Sequence, residues 1–210
     1  MQNKIGSGET SNPILQLLRH PALYDFVQHI AGSDKLRKEF VDDYIKPKKG
    51  TRILDLGCGT GDLLSCLTDV SYVGIDFNPD YILTARKRYA GKGEFLVGDA
   101  TKFSDQVSGT FDSVVAVGLL HHIDDKGVMA LTSALTGALV PGGKFVSVDP
   151  CFDSTQTKLQ RWMVSRDRGR AVRTPEEYCR LFPPNFTTQH SVRHNWLNIP
   201  WSHCVVVATA

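Results

Sequence analysis

The sequence predicts an α/β fold, in which helices alternate with the strands of a parallel sheet. From residue 51 onward, short apolar stretches of strand length alternate with longer stretches of helical periodicity, a rhythm typical of a doubly wound sheet with right-handed crossovers. One stretch, Phe111–Val117, is nearly all apolar, as expected of a strand buried on both faces. The chain has 210 residues, of which 41% are hydrophobic and 22% charged. Length and composition therefore fit one globular domain over residues 1–210.

An N-terminal helical arm is predicted over residues 1–48. Asn12 can cap a helix, and Pro13 suits its first position. Apolar residues then recur at helical spacing, with a break near Pro21, as far as Tyr44. The arm therefore precedes the first strand.

The central part of the sheet is predicted within residues 50–150. Helices are expected after a glycine-rich loop near Leu63, over Pro79–Tyr89, and over about Asp124–Leu139, where a Pro-Gly-Gly sequence ends the last one. The predicted strands are Arg52–Leu56, Tyr72–Asp76, Glu94–Val97, Phe111–Val117 and Lys144–Val148.

The alternation changes after Asp149. Residues 154–184 are predicted to form an insert of helices and loops, with a helix that begins at Thr174-Pro175 and carries two acids in its first turn. Residues 186–210 are predicted to close the sheet with two strands, Phe186–Arg193 and His203–Thr209.

Charge and cysteine content exclude several classes of protein. The net charge is +2, from 24 Lys and Arg against 22 Asp and Glu, which argues against a nucleic-acid-binding protein. No apolar run approaches the roughly 20 residues of a membrane helix, and the N-terminus has no apolar signal-peptide core. The five cysteines form no CxxC pair, and no metal-ligand spacing occurs. We therefore expect a cytoplasmic protein with no membrane span and no metal.

The strongest motif is the glycine-rich loop in Ile53–Asp62, ILDLGCGTGD. A buried strand leads into glycines at alternate positions, which let the backbone turn sharply and let a ligand approach it closely. Asp55 precedes the loop. A carboxylate there would repel a pyrophosphate but suits an ammonium group, so we expect the ligand to be cationic at this point.

Two further acids follow strands. Asp76 ends the second strand, about twenty residues after the glycines, a spacing at which an acid can reach ribose hydroxyls. Asp99 follows the third strand and could equally cap the next helix. Ligands of parallel sheets bind at the carboxyl ends of the strands, where all three acids lie.

Together these motifs resemble the class I S-adenosylmethionine-dependent methyltransferases of the small-molecule type. The matching stretches cover about residues 50–150 in the order of that family: Ile53–Asp62, Val73–Asn78 (VGIDFN), Gly98–Thr101 (GDAT), Phe111–Ile123 (FDSVVAVGLLHHI) and Leu139–Val148 (LVPGGKFVSV). The resemblance implies a Rossmann-like sheet of seven strands in the order 3-2-1-4-5-7-6, with strand seven antiparallel.

The resemblance also implies S-adenosyl-L-methionine as the cofactor. Asp55 and the loop are expected to hold its methionine part, Asp76 its ribose hydroxyls, and Phe77 and Asp99 its adenine. The residues that match cofactor-binding positions are Asp55, Gly57, Cys58, Gly59, Gly61, Asp76, Phe77, Asp99, Ala100, Gly118 and Leu119.

A general base is harder to identify from sequence. His121 and His122 follow the fourth strand, and histidine titrates in the right range for a base. Adjacent residues are not expected to point inward together, and either histidine could instead pack or cap the next helix. Asp149, His20 and His203 are further candidates.

The acceptor is expected to be a small molecule, with a hydroxyl of a sugar, polyketide or lipid precursor favoured. The sequence after strand four lacks the Asn/Asp-Pro-Pro-aromatic motif of enzymes that methylate adenine or amide nitrogens. Residues 154–184 carry a net charge of +4, which hints at an anionic acceptor, although a solvated basic loop would look the same. The candidate acceptor residues are His20, Tyr24, Arg161, Arg166, Arg168, Arg173 and His203.

Three other functions stay open at this point. A methyltransferase for RNA or protein would need a broad basic surface, which the composition does not indicate. A non-catalytic, cofactor-binding partner subunit would tend to lose the glycines or Asp76, which are intact. An NAD-dependent oxidoreductase fits poorly with Asp55 and the GxGxG form of the loop.

Overall fold

A mixed sheet of seven strands forms the centre of the molecule. The structure is a computed structural model that describes residues 33–167, 169 and 171–210. The strand order is β3-β2-β1-β4-β5-β7-β6, and β7 is antiparallel to both of its neighbours. The predicted fold class and strand order are thus confirmed. The strands are β1 Arg52–Leu56, β2 Ser71–Asp76, β3 Glu94–Val97, β4 Phe111–Val117, β5 Leu139–Pro150, β6 Thr187–His194 and β7 Ser202–Thr209.

Helices connect the strands and cover the sheet. A π-helical turn, Val41–Ile45, continues the helix Ser33–Phe40. Short 3-10 helices cover Asp62–Cys66, Ala100–Asp105 and Leu120–His122. The first 32 residues of the predicted N-terminal arm lie outside the described residues. The α-helices are α1 Ser33–Phe40, α2 Pro79–Arg88, α3 Asp125–Ala138, α4 Lys158–Val164 and α5 Pro175–Cys179.

Alternate side chains of the central strands enter two separate hydrophobic clusters. Leu54 belongs to a cluster with residues of α3 and α5, whereas its neighbour Ile53 belongs to one with residues of α1 and α2. Successive side chains of a strand point to opposite faces, so the two clusters lie on the two faces of the sheet. Burial on both faces explains the nearly all-apolar β4.

Two details of the core differ from the sequence prediction. The helix predicted after the glycine loop is a short 3-10 helix that ends at Cys66, before Leu67. The fifth strand begins at Leu139, directly after α3, rather than at Lys144. Leu139 pairs with Phe111, and the register shifts before Lys144 pairs with Ser113, so the Pro-Gly-Gly sequence lies within an irregular part of the strand.

The cap of α5 matches its prediction. Thr174 Oγ1 accepts a hydrogen bond from the Glu177 N–H at 3.3 Å, and Glu177 Oε2 accepts one from the Thr174 N–H at 2.8 Å. This reciprocal capping box fixes the start of the helix. Such a cap is readable from sequence because all of its parts are local.

Candidate active site

The glycine loop after β1 is open on one side. The N–H groups of Gly57 and Cys58 both donate to the Ile75 carbonyl, at 2.8 and 3.0 Å. Gly59 has a φ of +55°, and no atom lies within 4 Å of the position that a Cβ would take. The N–H groups of Gly57 and Cys58 are therefore engaged within the fold, and the open side at Gly59 is free for a ligand.

Gly61 has a different role from the other loop glycines. Its φ is +80°, and a Cβ there would lie 2.9 Å from Cε1 of Phe95. Gly61 does not line the cavity that the loop borders. Its lack of a side chain thus serves packing against Phe95, and its contact with a cofactor stays a prediction.

Asp55 is a buried carboxylate at the end of β1. The Tyr72 hydroxyl donates a hydrogen bond to its Oδ2 at 2.5 Å. The pKa of Asp55 is raised to about 7, chiefly because the group is buried; the Tyr72 hydrogen bond opposes this rise, and the nearby Asp76 and Asp62 carboxylates contribute to it. Asp55 lines the cavity, so a cationic ligand group there would favour its ionised form.

The other predicted cofactor residues lie at neighbouring strand ends. Asp76 is 7% exposed, and its carboxylate accepts hydrogen bonds from the N–H groups of Gly59 and Asn78, each at 2.9 Å. Phe77, directly after it, is 80% exposed, the most exposed large apolar side chain among the described residues. Such exposure suits a surface on which a planar group could stack.

Asp99 is part of a helix cap. Its Oδ1 accepts hydrogen bonds from the Thr101 N–H at 2.9 Å and from the Thr101 hydroxyl at 2.7 Å. The buried Ala100 follows it. Asp99 therefore caps the helix, which is the alternative role that the sequence left open. The cap uses Oδ1, and Oδ2 takes no part in these two hydrogen bonds.

A cavity of about 440 Å³ extends from the glycine loop along the carboxyl ends of β1, β4 and β5. Gly57, Cys58 and Gly59 border it on one side, and Gly118 borders it at the end of β4. Leu119 packs instead beneath the loop, where its Cδ1 would lie 3.0 Å from a Cβ on Gly57. The cavity thus joins the loop to the residues that follow β4.

His121 and Asp149 form a buried pair on the cavity wall. Nδ1 of His121 lies 2.9 Å from Oδ1 of Asp149, and the His121 backbone N–H donates to the same oxygen at 3.2 Å. His121 is 5% exposed and Asp149 is 1% exposed. When Nδ1 carries the ring proton, it donates a hydrogen bond to this carboxylate, which fixes the ring orientation and leaves Nε2 as the basic nitrogen.

Both adjacent histidines line the cavity, contrary to the expectation that only one could. The ring centroids of His121 and His122 are 4.0 Å apart, and His122 is exposed. The short 3-10 helix at Leu120–His122 accounts for this. Its tight turn brings neighbouring side chains to the same side more closely than an extended strand end does.

His203 also lines the cavity, from β7. Burial lowers the pKa of His203 to about 4, with His121 adding to this effect and Asp149 opposing it. Its Nδ1 atom is buried and has no hydrogen-bond partner within the part of the chain that the structure describes. His203 is therefore a neutral polar group on the cavity wall at neutral pH.

The insert supplies a second carboxylate to His121. Asp167 Oδ1 lies 3.4 Å from His121 Nε2. The Ala171 N–H donates to the His121 carbonyl at 3.0 Å, and a Cβ on Gly169 would collide with the His121 ring. Sequence analysis did not single out Asp167, because its approach to His121 depends on how the insert packs.

The predicted acceptor residues outside β7 differ in position. Arg166 lines the cavity. Arg161 is exposed on α4, with its guanidinium 5.2 Å from the centre of the Phe152 ring, and does not reach the cavity. His20, Tyr24 and Arg168 lie outside the described residues.

Arg173 differs most clearly from its predicted role as an acceptor-binding residue. Its side chain is 5% exposed and donates to Asp125 and to the carbonyls of Leu120, Ala171 and Ile123. These bonds tie the insert to the chain after β4. The expectation that Arg173 grips an acceptor is therefore wrong, because every nitrogen of its guanidinium is used within the fold.

Several cavity residues carry no motif that the sequence reveals. Leu36 and Arg37 reach the cavity from α1, and Leu197, Ile199 and Trp201 reach it from the link between β6 and β7. The two tryptophans and the proline of that link were visible in the sequence, but their position depends on the sheet order. Leu197, Ile199 and Trp201 supply apolar side chains to the lining of the cavity.

The described residues offer neither a metal-binding cluster nor a membrane-spanning helix. Residues 33–167, 169 and 171–210 contain no group of three or more His, Cys, Asp or Glu side chains placed to hold a metal ion. Over the same residues, no helix combines the length and the apolar character that crossing a bilayer requires.

Comparisons with known proteins agree with the geometry. A family model described as a methyltransferase domain matches residues 53–143. Phosphoethanolamine N-methyltransferase 1 of Triticum aestivum is 33% identical over 141 residues, which are 64% of this chain and 28% of that protein. The ubiquinone biosynthesis O-methyltransferase of Xanthomonas axonopodis is 30% identical over 114 residues, 52% of this chain and 46% of that one.

A solved structure extends the likeness to the fold. A SAM-dependent methyltransferase from Archaeoglobus fulgidus superposes with a TM-score of 0.70 at 18% identity, over 89% of this chain and 99% of that one. The chain spans 28% and 25% of the lengths of the first two curated relatives. The matched domain, the sheet order and the loop with its strand-end acids agree: residues 53–143 match a methyltransferase domain, and the sheet that contains them has the fold of the class I S-adenosylmethionine-dependent methyltransferases.

Proposed function

We propose that the protein transfers the methyl group of S-adenosylmethionine to a hydroxyl of a small molecule, and that His121 accepts the hydroxyl proton. The observation that carries the proposal is the His121–Asp149 pair on the wall of the cavity that also reaches Asp55. A base and a cofactor loop on one cavity suit transfer to an acceptor held between them. Sugars, polyketides and lipid precursors are the acceptor classes that we favour.

The residues at the loop fit the cofactor. When bound, the cofactor supplies a methyl group activated by a sulfonium. Asp55 would pair with its ammonium group, Asp76 with its ribose hydroxyls, and Phe77 with its adenine. The open side of Gly59 and the exposed ring of Phe77 leave room for it.

His121 is suited to take a proton at Nε2. Asp149 holds the proton on Nδ1, so Nε2 presents its lone pair. The imidazolium that forms would lie between Asp149 and Asp167, and both carboxylates would stabilise its charge. The apolar residues of the β6–β7 link, among them Ile199 and Trp201, would limit the access of water.

An amine is the second candidate acceptor. Asp167 adds a carboxylate to the cavity wall beside His121, and a carboxylate suits an ammonium group. One relative is named a phosphoethanolamine N-methyltransferase. His121 could deprotonate an amine as it would a hydroxyl, while Arg166 could face an anionic group elsewhere on either acceptor.

Acceptor profiling with a methyl-labelled cofactor tests the function. We expect label transfer to a member of a panel of small hydroxyl compounds, and calorimetry should detect binding of S-adenosylmethionine but not of NADH. Transfer only to amines would favour the second candidate. A protein that binds neither S-adenosylmethionine nor its demethylated product would contradict the proposal.

Replacing Gly59 with valine should abolish cofactor binding while the protein still unfolds cooperatively. The position is open, so the valine side chain would occupy ligand space without a clash inside the fold. The positive φ adds strain of roughly 1–2 kcal/mol. Calorimetry and thermal unfolding measure the two effects.

Gly50→Val is the matched control, because Gly50 also has a positive φ, +81°, and nothing within 4 Å of a Cβ. It lies before β1 and does not line the cavity. Both variants should lose similar stability, and only Gly59→Val should lose the cofactor. Normal cofactor affinity in Gly59→Val would disprove the placement of the ligand at this loop.

A further inference from the structure

Helix α4 carries two large apolar side chains on its solvent side. Leu159 is 55% exposed and Trp162 is 57% exposed, and residues three apart on a helix are neighbours on its surface. The opposite side is buried, with Gln160 at 4% and Val164 at 1% exposure. Gln160 Nε2 donates to Asn195 Oδ1 at 3.1 Å, which fixes the helix to the end of β6.

The charged residues between Ser154 and Arg166 are all positive. Lys158, Arg161 and Arg166 are exposed beside the two apolar side chains, and the sequence from Ser154 to Arg166 contains no Asp or Glu. The Arg166 guanidinium lies 5.7 Å from the centre of the Trp162 ring. The exposed face of α4 therefore combines apolar side chains with cations.

We propose that this face docks the protein on an anionic lipid bilayer. Trp and Leu side chains enter the boundary between headgroups and acyl chains, and Lys and Arg beside them meet lipid phosphates. The indole suits this boundary because it has an apolar body and a polar N–H. An uncharged membrane would provide no partner for the Lys and Arg side chains, and an acidic protein surface would provide none for Leu159 and Trp162.

The position of α4 gives docking a consequence for the site. Arg166 and Asp167, which follow the helix, also line the cavity. Docking would therefore place the cavity beside the bilayer, where an acceptor dissolved in lipid could enter it. This last step rests on the proposed function, whereas docking itself does not and is measured without turnover.

Flotation of the full chain with vesicles tests the docking. We expect binding to phosphatidylcholine vesicles that contain about one third phosphatidylglycerol, and at least tenfold weaker binding to phosphatidylcholine alone. The double variant Leu159→Ser/Trp162→Ser should bind the anionic vesicles at least tenfold less. Lys158→Glu should weaken binding at least about fivefold. Met129→Ser is the matched control, because Met129 is 53% exposed on α3 and should contribute nothing.

A second measurement covers the case in which the double variant fails to fold. Brominated lipids should quench the fluorescence of the wild type, and Trp162→Phe should bind with unchanged affinity but lose most of the quenching. The other tryptophans are the buried Trp196 and the partly buried Trp201. Absence of wild-type binding, equal binding to both vesicles, full binding by a folded double variant, or unchanged quenching in Trp162→Phe would each overturn the proposal.

Discussion

His121→Gln should lower kcat by about 10²–10⁴-fold, while the Kd of the cofactor changes little. Glutamine keeps a polar side chain of similar reach but cannot take up a proton near neutral pH. Asp55, Asp76 and Phe77, which we propose to hold the cofactor, lie at the ends of β1 and β2, so their contacts should persist. Steady-state kinetics on an acceptor found by profiling, together with calorimetry, measure the two quantities.

The neighbouring histidine provides the control. His122 lines the same cavity but is exposed, and the ring that contacts Asp149 is that of His121. His122→Gln should therefore keep kcat within a few-fold of the wild type. Asp149→Asn should lower kcat in the same direction as His121→Gln, and the double variant should be little worse than either single one, since the pair acts as a unit. If the folded His121→Gln variant kept the kcat of the wild type, methyl transfer would need no base at this position, and the role proposed for His121 would be wrong.

The cofactor side of the molecule was largely readable from the sequence. The bounds of β1, β3 and β4 were predicted to the residue. A strand buried on both faces has a continuous apolar pattern, and a turn with a positive φ selects glycine. The acids Asp55 and Asp76 could be placed at one edge because the carboxyl ends of parallel strands meet there.

The acceptor side could not be read in the same way. His121 follows β4 and Asp149 lies at the end of the neighbouring β5, and both were candidates from the sequence. Their pairing with Asp167 was not predictable, because it depends on how the insert folds back over this edge of the sheet. Arg173 shows the converse error. Its charge suggested contact with a ligand, but its guanidinium donates hydrogen bonds to the carbonyls of Leu120 and Ile123. No local sequence pattern predicts these bonds, because the two carbonyls belong to a distant segment of the chain.

The Asp55 carboxylate, which we propose to bind the ammonium group of the cofactor, also lowers the stability of the folded protein when it is ionised, because it is buried. A carboxyl group whose pKa is raised on folding binds its proton more tightly in the folded state. The stability that this proton contributes is present below about pH 4, the range of an ordinary aspartate, and is lost as the pH rises through about 7. The protein without cofactor should thus lose roughly 2–4 kcal/mol from this group across that window.

Asp55→Asn should therefore separate stability from binding. Without cofactor at pH 8, the variant should unfold at a higher temperature than the wild type, because it buries no charge; at pH 4 the two should be similar. Its cofactor affinity at pH 8 should be at least tenfold lower, about 1.4 kcal/mol, because the ammonium group loses its carboxylate. Wild-type affinity should also rise between pH 6 and 8, and the affinity of the variant should not.

Thermal unfolding and calorimetry over pH 4–8 measure these effects, and Asp105→Asn is the control. Asp105 is an exposed aspartate at the end of a 3-10 helix and does not line the cavity, so its replacement should leave both curves unchanged. Equal affinity and equal pH dependence in Asp55→Asn would disprove the ammonium contact. Parallel stability curves for the wild type and Asp55→Asn would instead disprove the raised pKa, because a buried carboxyl group that titrates near its ordinary range adds no slope between pH 4 and 7.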